Sequence, residues 1–141
     1  MIKIYLEEGA IVPTRAHPAD AGLDIKSPID FIVKPNGSVA IDTGVHAIIP
    51  KGYCGVLISK SGLNVKYDIT STGLIDSGYT GSITVKLYNH GDKKYSIAKG
   101  DKISQLVIMP CDTEKPEIIT VDELLEIKSE RGDKGFGSTG R

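Results

Sequence analysis

Gly73-Leu74-Ile75-Asp76-Ser77-Gly78-Tyr79-Thr80-Gly81-Ser82-Ile83-Thr84-Val85-Lys86-Leu87-Tyr88-Asn89 is the stretch whose periodicity decides the kind of fold. Ile83, Val85 and Leu87 alternate with Ser82, Thr84 and Lys86, the period of a half-buried strand. Ile69-Thr70-Ser71-Thr72, just before it, is β-branched and polar. The segment therefore reads as a β-hairpin whose tip carries one carboxylate, Asp76, one aromatic ring, Tyr79, and free backbone polar groups. Such a tip suits a nucleoside pocket, and it is equally the form of any Asp-Ser-Gly turn.

The same pattern spreads outward in both directions. Ile2, Ile4 and Leu6 alternate in an opening strand, residues 13–21 read as loop, and Leu23-Asp24-Ile25 starts a second strand. Ile29, Phe31 and Val33 alternate until Pro35-Asn36-Gly37 turns the chain. Residues 39–43, 45–49, 54–59, 95–97 and 102–109 continue as short strands bounded by Gly or Pro. A short helix fits only residues 61–66, and Thr120-Val121-Asp122-Glu123 has the signature of a capping box for one more helical turn. Many short strands at about ten-residue spacing predict an all-β fold, a jelly-roll-like β-barrel with one short helix.

Bulk properties narrow the function classes. The chain has 141 residues, 40% apolar and 25% charged, with a net charge of −1. That length suits one domain, and the balance lacks the basic excess of a general nucleic-acid or membrane-surface binder. No apolar run is long enough to span a bilayer, and Met1-Ile2-Lys3-Ile4 reads as a strand rather than a signal peptide. Cys54 and Cys111 stand apart, as expected of reduced thiols in a cytoplasmic protein (host cytoplasm if viral). His17, His46 and His90 are scattered, so a metal here would be a hard ion on carboxylate and phosphate oxygens. Residues 1–127 form the expected barrel domain. Residues 128–141 hold four glycines and two of the three arginines, so they read as a flexible Gly-rich tail, either frayed or a lid that orders over an anion.

Polar clusters suited to a phosphate chain recur along the sequence. Ser59-Lys60-Ser61-Gly62 leads into the short helix, where N–H groups favour anions. Gly100-Asp101-Lys102 precedes Gln105, Asp24 follows Ala21-Gly22-Leu23, and the tail ends in Arg, Ser and Thr. No Walker loop, Gly-x-Gly-x-x-Gly or Gly-x-Ser-x-Gly is present, which removes the common nucleotide folds and the hydrolase elbow.

Taken in order, Ala21-Gly22-Leu23-Asp24-Ile25, Ser59-Lys60-Ser61-Gly62-Leu63, the 73–81 turn, Gly100-Asp101-Lys102-Ile103-Ser104-Gln105-Leu106 and Arg131-Gly132-Asp133-Lys134-Gly135-Phe136-Gly137-Ser138-Thr139-Gly140 resemble the five motifs of the trimeric dUTPase family. The resemblance covers the whole chain. It implies a jelly-roll homotrimer with active sites shared between subunits, hydrolysing dUTP to dUMP and pyrophosphate with Mg²⁺ and keeping uracil out of DNA. Asp76 would activate the water that attacks the α-phosphorus, and Tyr79 would pack against the deoxyribose. Backbone groups from Thr70 through Gly73 to Ile75, with Lys86 on the returning strand, would frame the uracil. Lys60, Ser61, Gly62 and Gln105 would meet the phosphates. Arg131, Ser138 and Thr139 would take the γ-phosphate, with Phe136 over the uracil and Gly137 beside it. Asp24 would support the metal through water, the ion being held mainly by the triphosphate.

The sequence departs from the family's pattern in places. Lys60 and Lys102 stand where arginines are usual, which keeps the charge and loses the fork geometry. Gly78 replaces the usual acidic residue before the tyrosine and faintly resembles the sister dCTP deaminases. Those need a glutamate after the hairpin, and Lys86 stands there, which disfavours deamination. A third reading, a dUTP-bound trimer engaging a regulatory protein, has no support in the sequence.

Overall fold

The structure, a computed structural model, describes residues 1–134. Ten strands and two short helices follow in the order β1 (Lys3–Leu6), β2 (Gly22–Lys26), β3 (Phe31–Val33), β4 (Ser38–Asp42), β5 (Val45–Ile48), β6 (Tyr53–Ile58), α1 (Ser61–Tyr67), β7 (Ile69–Ile75), β8 (Thr84–Asn89), β9 (Tyr95–Ile97), β10 (Lys102–Pro110) and α2 (Val121–Glu126). Every expected strand is present, with ends moved by three residues at most. A six-stranded antiparallel sheet runs β2-β10-β6-β7-β8-β4, and the pairs β1-β5 and β3-β9 complete a curled half-barrel of the jelly-roll kind.

The core is the sum of the inward-facing alternate residues. Ile83, Val85 and Leu87 are all fully buried, beside Ile25, Ile103 and Leu106. Burying each contributes about 2 kcal/mol. A one-residue slip of β8 would turn Thr84 and Lys86 inward, so the alternation fixes register as well as face. Gly55 sits where a Cβ would press on Ile49 and Leu106, which is why β6 can pass through the centre. The capping box forms as expected: Glu123 N–H donates to Thr120 Oγ1 (3.3 Å), and Thr120 N–H donates to Glu123 Oε2 (2.6 Å). Yet α2 buries none of its residues.

The opening hairpin differs from its expected form. β7 pairs with β8 only over Ile69, Ser71 and the residue between, opposite Asn89, Tyr88 and Leu87. Above that point residues 72–75 pair with β6, while β8 pairs with β4 as far as Thr84. Ile83 is drawn the same way, its N–H donating to Val45 O (2.8 Å) and its carbonyl accepting from Thr43 Oγ1 (2.7 Å). Each arm finds its partner on the outer side, so the two part.

Candidate active site

Strand order assembles one half of the site. β2, β10 and β6 lie side by side, and Gln105 is the cross-strand partner of both Asp24 and Ile58. Asp24, Gln105 and the Ser59-Lys60-Ser61 exit of β6 therefore share one end of the sheet. Asp24 is 3% exposed, and a buried carboxylate needs charged partners. Lys60 Nζ donates to its Oδ1 (2.6 Å) and Lys102 Nζ reaches its Oδ2 (2.7 Å). Burial alone would raise the Asp24 carboxyl. Hydrogen bonds from Lys102 and then Lys60 outweigh it and hold the group below its ordinary 3.8.

A polar lattice fixes the strand ends behind this clamp. Ser59 Oγ accepts from Ser71 N–H (2.9 Å) and donates to Ser71 O (3.1 Å). Ser71 and Ser104 join through their hydroxyls at 2.8 Å. Gln105 Nε2 donates to Ser59 O (3.1 Å), and Gly22 leaves the room its side chain occupies, since a Cβ there would collide with it. Lys60 is the N-cap of α1 and no side chain caps the helix, so Ser61 and Gly62 are exposed at its open end. Open N–H groups beside two ammonium ions suit an anion such as phosphate.

The second half lies along β7. The parted arms leave a cleft between residues 72–75 and 84–86, and no ladder joins its two sides among the described residues. Backbone N–H and C=O groups on those facing edges have no partner across the gap, which suits the edge of a planar base. Ile75 is buried, so only its backbone can serve there, and Gly73 lies against Leu57. Thr70 Oγ1 is held by His90 Nε2 (2.8 Å), below the cleft. Lys86 Nζ lies 5.1 Å from the Tyr88 ring centroid.

Asp76 begins the loop above the cleft. It is exposed, its carbonyl accepts from Tyr79 N–H (3.0 Å), and its carboxylate takes part in no ion pair among the described residues. Tyr79 is 45% exposed, its hydroxyl donating to Ser82 O (2.9 Å) and its ring lying over Gly81, where a Cβ would strike it. A Cβ at Gly78 would meet nothing, so that departure is neutral in space.

Anchors that sequence reasoning missed hold the far side of this loop. His46 bridges Thr80 O and Glu7 Oε1, each at 2.8 Å. Both ring nitrogens face acceptors, the backbone bond to Thr80 first and Glu7 next, and they raise the imidazole above 6.5. Ser82 Oγ donates to Asp42 Oδ1 (2.5 Å) and lowers that carboxyl. Nothing in the local pattern at His46 or Ser82 marks these links, which span long stretches of sequence.

Among the described residues of one chain, the two halves lie apart. Thr72 lies opposite Ile58, and Asp76 is four residues further along, about 13 Å of strand. Among the described residues no three metal-ligating side chains cluster. Arg131 is exposed, its Nε donating to Lys134 O (3.0 Å). Phe136, Gly137, Ser138 and Thr139 lie outside the described residues.

The chain matches the family model of dUTPase over residues 8–140. It is 38% identical over 141 residues to the deoxyuridine 5′-triphosphate nucleotidohydrolase of Eremothecium gossypii, covering 99% of this chain and 90% of that protein. The protein of the same name from Arabidopsis thaliana is 40% identical, covering 96% and 80%. Among solved structures, the dUTPase of Staphylococcus bacteriophage 80alpha with dUpNHpp superposes with a TM-score of 0.89 at 35% identity, covering 100% and 99%. A mutant dUTPase from phage phi11 of S. aureus, described for its coordination of a structural Mg(II) ion, gives 0.78 at 31% identity, covering 84% and 96%.

Proposed function

This chain belongs to the dUTPase family, and on that premise we propose that it hydrolyses dUTP to dUMP and pyrophosphate through a water activated by Asp76. The observation that carries this reading is the placement of Asp76, an exposed carboxylate outside every ion pair among the described residues, at the mouth of a cleft whose facing backbone edges are joined by no ladder there. Such a carboxylate can orient a water and accept its proton as the water attacks the α-phosphorus. Tyr79, pinned by Ser82, stands against the deoxyribose. The facing edges of residues 72–75 and 84–86 read the uracil by backbone hydrogen bonds.

Lys60, Ser61, Gly62 and Gln105 receive the phosphates, and Arg131 with the tail residues Phe136, Gly137, Ser138 and Thr139 completes their enclosure. The donor set fits Mg²⁺ that arrives on the triphosphate, since hard cations keep waters and substrate oxygens where no protein cage exists. Asp24 is the carboxylate able to take its water shell, at the cost of loosening one ammonium. The ion would supply charge neutralisation on the phosphate oxygens.

The enzyme works as a homotrimer with shared sites. About 13 Å of strand between Asp76 and the level of the lysine clamp supports this, because one chain leaves the base far from its phosphate ligands. So does the arm after β10. Ile118, Val121, Leu124, Leu125 and Ile127 are 97%, 66%, 58%, 75% and 63% exposed, apolar surface that a second copy would cover. Pyrophosphate release across dUTP, dTTP, dCTP and UTP, with and without Mg²⁺, tests the proposal. Release from dUTP alone, and only with the ion, is expected. Ammonia from dCTP, or equal turnover of UTP, would sink it.

A further inference from the structure

The strand register that places Asp76 also places two thiols beside it. Ile75 lies opposite Gly55, so Asp76 is level with Cys54 on the neighbouring strand β6. On the other side of β6, Met109 is the direct partner of Cys54, and Cys111 follows two residues later on the same face. Cys111 N–H donates to Gly52 O (2.9 Å), which continues the ladder past the end of β10 and sets the second thiol diagonal to the first. Both cysteines are free and half-buried, and they are the chain's only two.

We propose that Cys54 and Cys111 form a dithiol that a peroxide closes to a disulfide, and that closure slows turnover at Asp76. The first half stands on the register. Thiols that are diagonal neighbours on one face of adjacent strands lie about 7 Å apart at their Cα atoms, so closure takes rotamer changes and a backbone shift that draws the two strand ends together. One thiolate attacks a peroxide oxygen and becomes a sulfenic acid as hydroxide leaves. The second thiol displaces the sulfenic oxygen as water. Two thiols are oxidised and one peroxide becomes two waters. Burial first, then the hydrogen bond with Cys54, hold Cys111 above its ordinary 9.0, and the carboxylates of Asp76 and Asp112 add to this. Thiolate is the reactive form, so closure quickens as pH rises.

The second half rests on the function proposed above. Cys111 begins the exposed segment that leads to the tail, and the bond would tie it to the strand that flanks Asp76. A water aligned by one carboxylate is sensitive to shifts of an ångström, so kcat should fall roughly tenfold with KM little changed.

The experiment treats the full-length protein with hydrogen peroxide and then a phosphine reductant. The expected results are an intact mass lighter by two hydrogens, no thiols left to alkylate, no covalent oligomer on a non-reducing gel, and a roughly tenfold loss of kcat, all reversed by reductant. Oxidation of the neighbouring Met109 would instead add an oxygen that the reductant does not remove. Cys111→Ser should show no kcat change between its untreated and treated forms. Thiols that remain alkylatable, or a bond between copies, would overturn the dithiol. A disulfide that forms with turnover unchanged would overturn its coupling to Asp76. Failure of the reduced protein to hydrolyse dUTP would break the functional reading instead, and the mass would still report the disulfide.

Discussion

Asp24 and Asp76 are carboxylates of one small barrel with opposite surroundings. Asp24 is buried on a central run of β2, with an ammonium on each oxygen and a lattice of serines behind it. Asp76 is exposed at the end of β7, and its carboxylate has no ionic partner among the described residues. The first arrangement gives up solvation to fix two cations in place. The second leaves a group free to meet a water, as a general base requires. One chain thus keeps a charge-paired carboxylate and a free one at different ends of the same sheet.

Removing the free carboxylate should have the largest effect. Asp76→Asn keeps the shape and loses the proton acceptor, so kcat should drop by about 10²- to 10⁴-fold. Binding of a non-hydrolysable dUTP analogue, measured by calorimetry, should stay within a few-fold. A variant with near-normal kcat would erase the contrast between the two carboxylates.

The buried carboxylate should matter first for stability. Asp24→Asn leaves two ammonium ions facing an amide, and denaturant unfolding at fixed protein concentration should show a loss of about 2 kcal/mol, below the full cost of breaking a buried pair because Lys102 is half in water. The folded Asp24 carboxyl lies below 3.8, so its stabilisation is complete above that value and is lost as pH falls through the folded pKa. The gap between wild type and variant should therefore narrow in acid. A gap that widens there would mean that the lysines do not hold the acid.

The smallest effect sharpens the Asp76 side. The His46 imidazole is raised above 6.5, so its support of Thr80 is full below 6.5 and is lost as pH rises through the folded value. Hydrogen exchange in residues 77–81, corrected for intrinsic rates, should speed up at alkaline pH in the wild type. His46→Asn should exchange quickly at every pH. Identical profiles would remove His46 as the loop's anchor.

How much of this was readable in the sequence follows the range of each interaction. Alternation at Ile83, Val85 and Leu87 is local, so the strand and its buried face were legible, as was the capping box at Thr120 and Glu123. The parting of β7 from β8 was not, because it depends on β6 and β4 offering outer partners far along the chain. Lys60 and Lys102 were legible as cations near a phosphate motif. Their shared grip on Asp24 was hidden, since three separate strands must be stacked before the residues meet. His46 gave no signal at all.

The central claim is that Asp76 of one copy serves the lysine end of another. Asp76→Asn and Lys60→Gln variants, each expected to be weak alone, can be co-refolded in equal amounts and assayed for dUTP turnover. Shared sites predict recovery to about a quarter of the wild-type rate, the share of sites that draw both intact residues from different copies. A mixture no faster than the average of its two parents would place both residues' work within a single chain and contradict the account.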